Sequence, residues 1–153
     1  MQTFDEIDRR ILRAMQAGQT VAGSEIARAV GLSPATCWRR VERLESSGVI
    51  RGHTIDIDAR AFGYEIEVSL RVTLDKTQPD AFDTFIVAAR RIPEVNEIQT
   101  FLGRVDVRLN VMARDLSHYQ EIYRRDILIL PNIADIESLM VIATVKDDRS
   151  LPL

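Results

Sequence analysis

Two hydrophobic periods divide the chain. Over roughly the first fifty residues apolar positions recur at helical spacing. Ile7, Ile11, Leu12 and Met15 predict one helix, capped by Asp5 and ended by Gly18. A second short helix begins near Ser24, with Ile26, Ala27 and Val30 facing inward, and Gly31 turns the chain after it. Leu32-Ser33-Pro34 is a strong start signal, Ser33 as cap and Pro34 in the first helical position. The third helix puts Cys37, Val41 and Leu44 on one face and ends at Gly48. Three short helices with a tight Gly-Leu-Ser turn before the third describe a helix-turn-helix. Val49 to Ile55 reads as a short strand, a wing, and 56–63 as a linker.

Beyond that linker the period becomes two. Ile66, Val68, Leu70, Val72 and Leu74 alternate with polar residues, which predicts a strand with one buried face. A helix opened by Pro79 follows, burying Phe82, Phe85, Ile86 and Ala89. Strands are expected over 95–101 and 105–111, then a helix carrying Leu116, Tyr119, Ile122, Tyr123, Ile127 and Leu130, then a last strand over 133–145. The order β-α-β-β-α-β is the ferredoxin-like arrangement. A faint repeat supports it: Ile92-Pro93-Glu94-Val95 and Leu130-Pro131-Asn132-Ile133 each lead from helix to strand. The expected fold class is therefore α+β, a winged helix-turn-helix over 1–52, a short strand and linker over 53–63, and a ferredoxin-like domain over 64–153. Helices should cover one sheet face. The last strand is apolar on both faces from Leu139 to Val145, which favours a partner, a second copy of the chain first of all.

Composition narrows the function. A hydrophobic share of 46% and a charged share of 28% argue against disorder, and no apolar run is long enough for a membrane span. The acidic start, Asp5-Glu6, does not resemble a secretory signal, and the single Cys37 forms no internal disulfide, so a cytoplasmic protein is expected. His53 and His118 lie far apart, and no metal site or cofactor is expected. Charge is uneven: residues 1–52 hold eight arginines against six carboxylates, a net of +2, which leaves −5 for the rest of a chain totalling −3. The outer face of the third helix carries Ala35, Thr36, Arg39, Arg40 and Arg43. Taken alone, such arginines only solvate a surface helix, pairing with Glu42 and Glu45. Together with the Gly-Leu-Ser-Pro turn they predict a helix that docks in the major groove of double-stranded DNA. Thr36 and Arg39 then lie nearest base edges, while Ser33, Arg40, Arg43 and, from the wing, Arg51 anchor phosphates. Arg40 has a second reading, as an internal salt bridge that braces the fold. Cys37 and Trp38 are assigned to packing.

At this point the chain resembles the Lrp/AsnC, or feast/famine, family of regulators over essentially its full length. The matching residues are Asp5-x-x-Asp8-x-x-Ile11-Leu12, Gly31-Leu32-Ser33-Pro34, Arg40-Val41-x-Arg43-Leu44-Glu45-x-x-Gly48-Val49-Ile50, Gly103-x-x-Asp106 and Val145-Lys146. The resemblance implies a DNA-binding regulator whose second domain takes an amino acid or related metabolite and joins subunits into dimers, tetramers or octamers. It places the effector near Gly103, Arg104 and Asp106, with Ser138 and Met140 from the last strand. Two departures stand out: Arg104, where relatives often carry an acid, and Ile136, where they often carry a hydroxyl. An acid would suit a ligand's ammonium, whereas Arg104 suits its carboxylate. Two alternatives remain, an architectural protein that wraps DNA with low specificity and an enzyme resembling the sirohaem decarboxylases. The enzyme would have to rely on His118, the one histidine of the second domain.

Overall fold

The structure, a computed structural model, describes residues 4–18, 23–146 and 150–153. Two compact units emerge, Met1–Asp56 with Lys146–Leu153, and Ile57–Val145.

In the first unit helix α1 spans Glu6–Gln16, α2 Gly23–Val30 and α3 Pro34–Ser46. Asp5 and Asp8 form a reciprocal cap on α1: the Asp8 amide donates to Asp5 at 2.8 Å and the Asp5 amide to Asp8 at 3.1 Å. Gly31 adopts φ 71°, a left-handed turn that a side chain would strain, and it aims the chain into Ser33 and α3. Ile11, Ile26, Ala27, Val30, Cys37, Val41 and Leu44 close the core between the three helices. Leu151 and Gln16 exchange two hydrogen bonds, which tie the end of the chain to α1.

The expected wing strand over 49–55 does not form. The amides of Val49 and Ile50 both bond to the Leu44 carbonyl, at 3.0 and 3.1 Å, folding this segment back onto the end of α3. Beyond it no described strand offers a ladder, and Ile55 and Ile57 are exposed. Arg51 accordingly lies on irregular, exposed chain rather than on a wing. Within the linker, Ala59–Phe62 makes one turn of 3₁₀ helix.

The second unit is a four-stranded antiparallel sheet with two helices on one face. Strands β1 (Ile66–Leu74), β2 (Val95–Thr100), β3 (Val107–Ala113) and β4 (Ile133–Met140) lie in the order β2-β3-β1-β4. Helix α4 spans Ala81–Ala89 and α5 spans Leu116–Ile122. This is the expected ferredoxin-like order. Val68, Leu70, Val72, Val107, Leu109 and Val111 meet Phe85, Ala89, Ile122 and Ile127 in one core. Each of these side chains larger than Ala89 contributes about 1.5–3 kcal/mol by leaving water. The opposite face is polar, with Arg108 on Glu97 at 2.9 Å and Arg71 near Glu137 at 3.5 Å.

Three details differ from expectation. Phe82 is exposed and Ala81 buried, because the inward row of α4 runs through Ala81, Phe85 and Ala89 at i, i+4 and i+8. Helix α5 passes into a wider π turn over Tyr123–Ile127, which rotates Ile127 back into the core. The last strand stops at Met140, not Val145. The Val141 amide makes a final bond to Glu67, near the start of β1, so the ladder has run out, and Ile142 and Val145 stand almost fully exposed.

Candidate functional site

Two regions gather the predicted residues. In the first unit Ser33 caps α3 by accepting the Thr36 amide at 3.3 Å, and its hydroxyl donates to the Thr36 hydroxyl at 2.9 Å. Ala35, Arg39 and Arg43 are exposed along the helix, and Arg39 makes no hydrogen bond or ion pair with any described residue. Arg40 is engaged within the fold. Its Nη1 donates to Asp5 at 2.7 Å and to Asp8 at 2.8 Å, the contacts of the bracing reading. These bonds raise the Arg40 pKa. The Asp8 amide and, after it, Arg40 hold the Asp5 carboxyl below the usual carboxylate range. Arg43 gives one nitrogen to Asp8 at 2.6 Å while its side chain stays 57% exposed. Asp8, 1% exposed, is therefore the anion that joins α1 to α3. Sequence reasoning had it only as a matching motif residue, although its spacing from Asp5 signals a capping box. Cys37 is core, as expected, and burial pushes its thiol pKa up. Trp38 is not packed away: its side chain is 57% exposed.

In the second unit the loop before β3 is tied to the end of β1. Asp106 accepts the Leu74 amide at 2.9 Å and the Lys76 ammonium at 3.0 Å, and Thr73 donates to the Arg104 carbonyl at 3.0 Å. Burial raises the Asp106 pKa, but the Leu74 amide and Lys76 outweigh it and leave the carboxyl below its usual range. Asp106 is thus already partnered, and Lys76 is a neighbour that sequence reasoning missed. Ser138 and Met140 lie elsewhere. They pair with Leu70 and Val68 on the other side of β1, four and six steps from Leu74, which at about 3.3 Å per step is about 13 and 20 Å. Within one chain the Gly103–Asp106 loop and the β4 residues do not share a pocket.

Ser138 opens instead onto a groove of about 500 Å³ lined by Tyr119, Gln120, Tyr123 and Arg124. The Tyr119 hydroxyl donates to Ser138 at 2.9 Å, and the rings of Tyr119 and Tyr123 stand 5.8 Å apart. Burial raises the Tyr119 pKa, partly offset by Ser138. Arg124 is held through Nε by the Gln120 carbonyl at 3.2 Å and makes no ion pair with a described residue. Tyr123 and Arg124 fall in the π turn, an irregularity that often marks function. Helical spacing marked Tyr123 only as an inward residue and gave no sign of Arg124. His118 accepts the Arg114 amide through Nδ1 at 3.2 Å, and its Nε2 lies 3.9 Å from Glu94.

A capped, outward-facing third helix and a ferredoxin-like unit with a tyrosine-lined groove define a class: a DNA-binding head coupled to a ligand-binding domain. Residues 4–51 match the family model for a winged helix-turn-helix DNA-binding domain, and residues 67–151 match that for the Lrp/AsnC ligand binding domain. The leucine-responsive regulatory proteins of Salmonella typhimurium and Escherichia coli are 32% identical over 148 residues, 97% of this chain and 90% of theirs. An AsnC family transcriptional regulator from Agrobacterium tumefaciens superposes with a TM-score of 0.88 at 31% identity, covering 97% of each chain. A transcriptional regulator from Neisseria meningitidis, solved as a complex with L-methionine, superposes at 0.91 with 25% identity, over 98% of this chain and 97% of that one. The chain belongs to the Lrp/AsnC family of transcriptional regulators.

Proposed function

We propose that this regulator's hold on DNA is switched by an amino acid or a closely related carboxylate, taken up in the groove beside Ser138. The observation that carries this is the groove itself: Arg124 for a carboxylate, Ser138 and Gln120 for polar groups, and two tyrosine rings for an apolar side chain. The Neisseria relative's complex with L-methionine supports the ligand class. Gly103, Arg104 and Asp106 then form a second part of the site, supplied at a contact between subunits. Arg104 adds a cation there, and Asp106, held by Leu74 and Lys76, shapes the loop. Exposed Met140, Ile142 and Val145 support self-association. On double-stranded DNA, Ala35, Thr36 and Arg39 face the base edges while Ser33, Arg43 and Arg51 lie along the backbone. The chain is a cytoplasmic regulator and not an enzyme. His118, the candidate of the catalytic alternative, is engaged by the Arg114 amide.

Calorimetric titration of the full chain with each amino acid tests the effector reading. One ligand should bind, and at a hundredfold excess over its Kd it should stabilise the chain by about 2.7 kcal/mol. Arg124→Gln should weaken that ligand at least about tenfold, the worth of a charge-assisted hydrogen bond. Absence of binding by the whole set, or indifference to Arg124→Gln, contradicts it.

A further inference from the structure

Helix α3 presents one continuous outer stripe. Ala35, Trp38, Arg39 and Glu42, spaced i, i+3, i+4 and i+7, are all exposed, and they lie opposite the buried Cys37, Val41 and Leu44. Arg40 and Arg43 flank that stripe on the side that meets α1, where Asp8 holds them. Trp38 flanks it on the side of α2: a Cβ placed on Gly23, the first residue of α2, would stand 3.7 Å from Trp38 Cε3. The indole is thus steadied along one edge and left 57% exposed over the rest. A large aromatic ring kept in water on an otherwise charged surface is a cost to the isolated chain, and such exposure marks a contact surface.

From this stripe we infer that Trp38, with Ala35 one turn earlier, forms an apolar notch that takes the C5-methyl of a thymine in the major groove. The assignment rests on α3 being the helix that docks on DNA. A methyl is the one apolar group that base edges show in that groove, so an apolar side chain beside Arg39 reads thymine where the guanidinium reads an acceptor. Trp38 lies beside Gly23 at the α2 edge of the stripe. Trp38 is accordingly a specificity-determining residue, distinct from the arginines that supply charge.

Trp38 is the only tryptophan in the chain, so its fluorescence reports this position alone. The full chain is first used to select a duplex from a random library. Saturating it with that duplex should shield Trp38 from acrylamide quenching. Replacing each selected dT by dU in turn should weaken wild-type binding roughly fourfold at one position, the worth of one buried methyl. The Trp38→Ala chain should be insensitive to that same replacement, and Trp38→Phe should keep the sensitivity if the alanine variant folds poorly. Unchanged quenching in the saturated complex overturns the assignment, as does a dU effect that persists undiminished in Trp38→Ala. A wild-type chain that selects no duplex and shows no anisotropy change with any DNA overturns the docking of α3 itself. Binding with Trp38 still open to quencher overturns only the notch.

Discussion

Replacing Asp8 with alanine should cost the DNA-binding unit more than any exposed charge in it. The carboxylate is 1% exposed and takes the Asp5 amide, Arg40 at 2.8 Å and Arg43 at 2.6 Å. Removing one member of a buried ion pair typically costs about 3–5 kcal/mol, because the other charge is left uncompensated. The lower end applies here. Arg40 keeps its 2.7 Å bond to Asp5, and the largely exposed Arg43 can turn to water, so that second pair is worth no more than about 1 kcal/mol. A loss of about 3 kcal/mol at a minimum of about 4 °C per kcal/mol lowers the midpoint of a unit this small by at least about 12 °C. Trp38 fluorescence follows the melting of this unit, with Glu6→Ala as the control. Glu6 and Arg13 pair at 2.9 Å with both side chains largely in water, and their loss should stay below about 1 kcal/mol. An Asp8→Ala midpoint indistinguishable from that of Glu6→Ala would refute the view that this carboxylate joins α1 to α3.

Arg39→Ala should relax base preference by about 1–3 kcal/mol while leaving thermal stability unchanged, as read by anisotropy on matched and mismatched duplexes. Tyr119→Phe removes the hydrogen bond to Ser138 and should destabilise the second unit by about 0.5–1.5 kcal/mol in urea titrations followed by circular dichroism. Asp106 has a folded-state pKa below its unfolded value, so its contribution is complete above the unfolded pKa and is lost as pH falls through the folded one. Stability of the second unit should thus decline through the ordinary aspartate range and below. Asp106→Asn should flatten that decline, and an equally steep acid limb in the variant would count against the Leu74 and Lys76 contacts.

Local signals carried most of the fold. Ser33-Pro34, Gly31 and the 37–41–44 stripe place α3 within a residue, and the alternation of 66–74 marks the strand that becomes the centre of the sheet. What failed depends on distant partners. Val49 to Ile55 has strand composition, but two of its amides are claimed by Leu44, and Leu139 to Val145 is apolar but for Thr144 although β1 starts too late to pair it all. The same holds for the sites. Arg39 was legible from its place on the outer face of the third helix, whereas the fate of Arg40 turned on carboxylates 35 and 32 residues away. The groove of Tyr119, Tyr123 and Arg124 arises where a π turn meets the β4 edge, and no spacing rule foretells that meeting.

The most direct test of a ligand-switched DNA-binding regulator is fluorescence anisotropy of the full chain on the duplex upstream of its own gene. It is run at fixed salt against scrambled competitor, with each amino acid added in turn. The account predicts binding that survives the competitor and shifts with one amino acid or its close analogue. Equal affinity for scrambled DNA, unmoved by any of them, would contradict it.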